Sequence, residues 1–150
     1  MDIYRNFEKI NDDWPQIIKH ALECLHGTNN GESFFIQQYS DFDSYYQDRM
    51  YEYEHMMVYF VFRYYLKAVY DEDVYTKVKM AVVSFLMIKE LDIVRWIDQG
   101  YKFEEADQID IVHLYSKEIE HSELNLEAWA QVLKTNEIFD MEQLIMMLMN

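Results

Sequence analysis

Three glycines and one proline in 150 residues leave this chain few places to turn sharply. All-β architectures need many short loops rich in those residues, so the scarcity predicts long helices with few connections. About half of the residues are apolar and 17% are aromatic, enough to build a core despite the high charge. A chain of this size buries roughly 70% of the surface its unfolded form exposes, so no disulfide or metal staple is required. The expectation is an all-α fold: residues 1–150 as a single-domain helical bundle of about five to six helices around a long central apolar helix.

Periodicity places the helices. The first is expected from Asp13, as N-cap, with Pro15 in its first turn, through Leu25 to a stop at Gly27. Thr28 to Ser33 reads as a loop. A long second helix follows from about Asp43 to Tyr70, apolar on nearly every side, which marks it as the central buried element. A third runs from about Val74 to Asp98 and stops at Gly100. The fourth, from about Glu104 to His121, carries an apolar stripe of Ile111, Val112, Tyr115 and Ile119 opposite Asp110, His113, Lys117 and His121. Ser122 caps a fifth, through about Leu133, and Asp140 with Gln143 forms a capping box for a terminal helix from Met141 to Met149.

A net charge of −15 repels polyanions, so neither nucleic acid nor an anionic membrane surface is expected as a partner. Cys24 is the only cysteine, which excludes an internal disulfide, a thiolate zinc site and a cysteine-held iron–sulfur cluster. The segment from Met1 to Trp14 has no apolar run of signal-peptide type, and the longest apolar stretch, Met56 to Phe62, is far too short to span a bilayer. A cytoplasmic location is the expectation.

Two constellations carry possible chemistry. Glu52 with His55 and Glu118 with His121 repeat the Glu-x-x-His spacing of di-iron bundles, with Glu23 and Glu90 on intervening helices. At about 100° per residue, however, His121 projects away from the apolar stripe of its helix, where a core ligand should not point. The second constellation is a pair of carboxylates on core-like faces. Glu54 shares its face with Met50, Val58, Val61, Tyr65 and Ala68, and Glu90 with Val83, Leu86, Met87, Val94 and Ile97. A buried carboxylate needs a partner or stays protonated, and Arg63, Arg95, His121 or a tyrosine hydroxyl would serve. Such a network either fixes helix register or forms a site wall that handles a proton or holds an amine. Asp92 and Arg95, three apart, are expected to pair on one helix. The tyrosines between Tyr45 and Tyr65 read as amphipathic core that can also line a groove for a peptide or a cation. His20, His26 and His113 read as exposed. There is no Gly-rich phosphate loop and no nucleophilic triad.

The stretches FRYYLKAVYDEDVY (62–75), KELDIVRW (89–96) and DQIDIVHLYSKEIEHS (107–122) resemble the C-terminal portion of flagellin lysine-N-methylases, in the same order and spacing. Weaker likeness extends through most of the chain. The resemblance implies a connection to methyl transfer onto flagellin lysines. It also implies a cysteine cluster in an N-terminal half, which a chain with Cys24 alone does not carry. Within the matching stretches the polar residues are Glu90, Asp92, Arg95, His113, Glu118 and His121.

The reading that combines both kinds of evidence is a helical domain of methylase type, not catalytic alone and without a cofactor of its own. Its expected partner is flagellin or a cysteine-cluster-bearing methylase half, and any activity would be protein-lysine methyl transfer. Candidate catalytic residues are Glu54, Glu90, Asp92, Arg95 and His121. The alternatives are a freestanding acidic scaffold protein, and a carboxylate–histidine metalloprotein using Glu52, His55, Glu118 and His121.

Overall fold

The structure, a computed structural model, describes residues 12–27, 32–136 and 139–149. These form seven α-helices: α1 (Trp14–His26), α2 (Glu32–Tyr46), α3 (Tyr51–Asp71), α4 (Val74–Asp98), α5 (Glu105–Tyr115), α6 (Glu123–Thr135) and α7 (Met141–Met149). The all-α bundle matches the expectation, with one or two helices more than expected. The stretch from Met1 to Asn11, used above to argue location, and residues 28–31 of the expected loop lie outside the described residues; Ser33 already belongs to α2.

The central helix is α4, not the one expected from Asp43 to Tyr70. Each of the other six helices packs against α4. Met80, Ala81, Val82, Val83, Ser84, Leu86, Ile88, Leu91, Ile93, Val94 and Trp96 are all buried on it. Small residues from Ala81 to Ser84 let neighbours approach α4 closely from several directions. The helix α3 is as apolar in sequence, but its bulk is tyrosine, phenylalanine and methionine. Only Tyr53, Phe60, Tyr64 and Ala68 turn inward, so α3 lies along one side of the bundle.

The expected second helix is also broken. A 3₁₀ turn at Gln47–Arg49 separates α2 from α3, and Arg49 and the Tyr46 hydroxyl both bind Glu52 across it, at 2.8 Å. The fourth expected helix holds as α5 plus a π-helical turn, Ser116–Glu120. Its stripe is oriented as expected: Ile111, Tyr115 and Ile119 are buried, and Asp110, His113, Lys117 and His121 are exposed.

Helix ends follow local chemistry. Asp73 caps α4 by accepting from the Thr76 amide at 3.1 Å, and Ser122 caps α6 by accepting from Asn125 at 3.2 Å. Glu104 and Asp107 form a capping box at α5. Asp13 occupies the N-cap position of α1 without a side-chain cap bond. Gly27 ends α1 in an extended conformation, and its requirement is steric: a Cβ there would lie 2.3 Å from the Glu23 carbonyl oxygen. Among the described residues no helix is long and apolar enough to cross a membrane.

Aromatic packing locks α2 onto α4. Phe42 is fully buried, stacked on Tyr46 at 5.3 Å and edge-on to Trp96 at 5.5 Å and to Phe103 at 5.7 Å. Rings of this size contribute roughly 1.5–3 kcal/mol each through burial. This anchor positions Tyr39 and Asp43, which lie on the same helix.

Candidate functional site

The helices α2, α3, α4 and α7 enclose a cleft of about 530 Å³. Met50, Met57, Phe85, Leu86, Met147 and Leu148 form its apolar wall, and Tyr39, Asp43, Tyr53, Glu54 and Lys89 are its polar groups. Lys89 is buried, and its Nζ lies 2.7 Å from Asp43 Oδ1 and 3.0 Å from Oδ2. The ammonium also sits 5.0 Å from the centre of the Tyr39 ring and 6.0 Å from that of Tyr53. One carboxylate and two ring faces thus hold one cation, the arrangement that aromatic quadrupoles favour.

The two tyrosines link the cleft to two further acids. Burial first, then the charges of Glu90 and Asp43, hold the Tyr39 phenol well above its ordinary pKa. Tyr53 donates to Asp92 Oδ2 at 2.6 Å. Asp92 is completely buried, and burial pushes its carboxyl up to about 8 in spite of that hydrogen bond. Gln108 faces the same pair from α5, and its side chain also favours the ionised form of Asp92 without overcoming burial. The hydration lost on burial outweighs these hydrogen bonds, which favours the protonated acid near neutral pH.

The predicted residues separate clearly. Glu54 is exposed on the lip of the cleft, a correction to its assignment to the core. Its supposed core neighbours Val58, Val61 and Tyr65 are exposed as well. Because α3 is apolar all round, periodicity could not tell its two faces apart. Glu90 has partners of the expected kind, the Tyr39 hydroxyl and His26, whose Nε2 lies 3.6 Å away, but it is only partly buried rather than set in the core. His26 is exposed as expected, yet Glu90 engages it. Its hydrogen bond with Glu90 raises the imidazole pKa, against the opposing effect of burial.

Asp92 and Arg95 do not form the expected pair. Asp92 turns inward to Tyr53, while Arg95 reaches Asp107 at 3.4 Å, where Gln99 also donates at 2.8 Å. Residues three apart on a helix diverge by about 60°, enough here for one to enter the core and the other to stay at its edge. His121 is exposed and does not line the cleft.

Nor are the two Glu-x-x-His pairs brought together. Glu52 is committed to Arg49 and Tyr46, His55 is exposed, Glu118 is buried, and Glu23 makes a surface pair with Lys19. Among the described residues no three His, Cys, Asp or Glu side chains are placed to hold a metal ion.

Sequence reasoning missed Tyr39, Asp43, Lys89 and Glu120. The last accepts from Tyr59 at 3.2 Å and pairs with Arg63 at 3.4 Å. Between Lys79 and Ile97 no residue of α4 is exposed, and Lys89 is buried within that run.

Comparison with curated proteins gives no match, and comparison with solved structures gives none either. The model of the family described as FliB lysine N-methylase C-terminal domain matches residues 1–147, nearly the whole chain, and the chain belongs to that family.

Proposed function

We propose that this domain binds a lysine side chain of a protein substrate, flagellin, within a lysine-methylation system, and that methyl transfer itself requires a second, donor-holding component. The observation that carries this reading is the cleft. Its Met50, Met57 and Phe85 wall matches the apolar stem of a lysine, and Glu54 stands at its lip with no ion pair among the described residues. Lys89 is already neutralised by Asp43, which leaves Glu54 as the uncompensated charge facing an incoming ammonium. The same fold already stabilises one lysine ammonium on Tyr39 and Tyr53. Family membership supports the choice of lysine over other cations.

Methyl transfer needs an activated donor, a deprotonated amine and a geometry that aligns them, and positioning supplies a large share of the barrier reduction. The cleft offers groups to hold the amine. The cluster implied for the N-terminal half of such methylases needs cysteines, and Cys24 is the only one in this chain.

The experiment is binding of unmodified flagellin by the full chain, followed by incubation with labelled methyl donor and lysine mass analysis. Flagellin binding weakened several-fold by Glu54→Gln, without methylation by the chain alone, is the expected result. Equal binding by wild type and Glu54→Gln refutes the cleft as the lysine site. Catalytic methylation by the chain alone refutes the need for a second component.

A further inference from the structure

One face of α3 is apolar, regular and uncovered. Tyr51, Val58, Phe62, Tyr65, Leu66 and Val69 all point outward, and Phe62, Leu66 and Val69 expose 64%, 62% and 73% of their surface. With the exposed His55, positions 51, 55, 58, 62, 65 and 69 advance in alternating steps of four and three. That is the spacing of a coiled-coil seam, which keeps one stripe of a helix facing a partner helix over its full length. The inward residues Tyr53, Phe60, Tyr64 and Ala68 already anchor α3 to the bundle, so the outer stripe is not needed to hold the helix in place. Soluble proteins seldom leave a contiguous apolar face of this kind without a partner.

Charge defines the occupant. The helix carries two strong cations, Arg63 and Lys67, and neither belongs to the outer stripe. Arg63 turns to Glu120 on the inner flank, and Lys67 lines a separate cleft beside Asp71. The ends of the stripe are acidic instead, with the exposed Glu54 at one end and the exposed Glu72 at the other, while Glu52 is paired with Arg49 and Asp71 with Lys77. A second copy of the chain would bring the same acidic ends and a further net charge of −15 against this surface.

We propose that the outer face of α3 is the docking surface for an amphipathic helix of a different protein or domain, with an apolar heptad seam and lysine or arginine residues flanking it near both ends. The 21 residues of α3 set the length of that contact at six turns or slightly less. Association buries the aromatic and branched side chains, while the basic flanks meet Glu54 and Glu72. The proposal shares Glu54 with the lysine reading of the cleft but rests on the apolar stripe of α3. It is tested without flagellin or a methyl donor, so either can fail alone.

The test uses the full chain and two synthetic helices of about 21 residues, identical in their leucine seam and carrying either lysine or glutamate at the flanking positions. Binding is followed by fluorescence anisotropy at about 0.15 M salt, where distant charges are screened. The lysine-flanked helix is expected to bind and the glutamate-flanked helix is not. Phe62→Glu and Val58→Glu, both at exposed positions, are each expected to weaken binding by at least about tenfold while leaving the circular dichroism unchanged. Each variant makes the protein more acidic, so simple attraction of a basic peptide would grow stronger, not weaker. Undiminished binding by both variants overturns the proposal, as does equal binding of the two peptides. A dimer in sedimentation that Phe62→Glu dissociates also overturns it, by assigning the face to a second copy.

Discussion

The Tyr53 hydroxyl donates to Asp92 across 2.6 Å at the buried interface of α3 and α4. This single bond joins the two longest helices through an acid that burial keeps protonated near neutrality. It also closes the inner end of the chain of groups that runs from Lys89 and Asp43 through the Tyr53 ring. The relationship has a thermodynamic consequence that is simple to measure.

The Asp92 carboxyl titrates near 3.8 in the unfolded chain and at about 8 in the folded one. Between those values the folded state holds a proton that the unfolded state has released. Stability is therefore fully present below pH 4 as far as this group is concerned, falls as pH rises toward 8, and levels off above it. Asp92→Asn keeps an acceptor for Tyr53 and removes the titration. The variant should gain on the wild type by on the order of a few kcal/mol between pH 5 and pH 8. Urea unfolding at several pH values measures this, and a difference between the two proteins that does not change with pH would sink the assignment.

His26 and Glu90 predict the opposite kind of titration. Glu90 raises the imidazole above its ordinary 6.5, so the stabilisation is complete below 6.5 and is lost as pH rises through the raised value. Both side chains are partly exposed, so the effect on stability is small, but the proton resonances of His26 report it directly. Glu90→Gln should lower the His26 pKa. An unchanged NMR titration would show that the two do not interact in solution.

At the start of α4, Asp73 ties two helices together. The Lys134 ammonium of α6, 2.5 Å away, and the Thr76 amide outweigh its partial burial and lower its carboxyl to about 2. Its contribution is present above pH 3.8 and is lost as pH falls through 2. Asp73→Ala should cost roughly 1 kcal/mol, chiefly through the lost cap. Lys134→Ala should cost much less, because the exposed lysine spends its attraction against water and salt. Chemical denaturation of the two variants separates these contributions, and equal losses would assign the effect to the ion pair.

Lys89 occupies a seat that suits a free ammonium ion. Truncation by Lys89→Ala empties the space between Asp43, Tyr39 and Tyr53. The variant should bind methylammonium or tetramethylammonium measurably more tightly than wild type, read by tyrosine fluorescence or calorimetry. No difference in affinity would mean that the rings and Asp43 do not form a cation site once the lysine is gone.

The helical class was legible in the sequence because it depends on local chemistry. Scarce glycine and proline, the cap at Ser122, and the stripe of Ile111, Tyr115 and Ile119 act within one turn of themselves. What could not be read was which of two all-apolar helices becomes the centre. Periodicity identifies a face only when the opposite side is polar, and neither α3 nor α4 has such a side. Close packing decided it: the small residues from Ala81 to Ser84 admit neighbours, while the tyrosines of α3 cover the bundle and keep half of their own face outside. The site shows the same division. Glu90 was recognisable from its own helix as an acid needing a partner, although it is less buried than that helix face suggested. Its pairing with His26 and Tyr39, and the meeting of Asp43, Lys89, Tyr53 and Asp92, join residues up to 64 positions apart, from His26 to Glu90. Such contacts exist only once the helices are packed, because nothing local to any one of them specifies the partner.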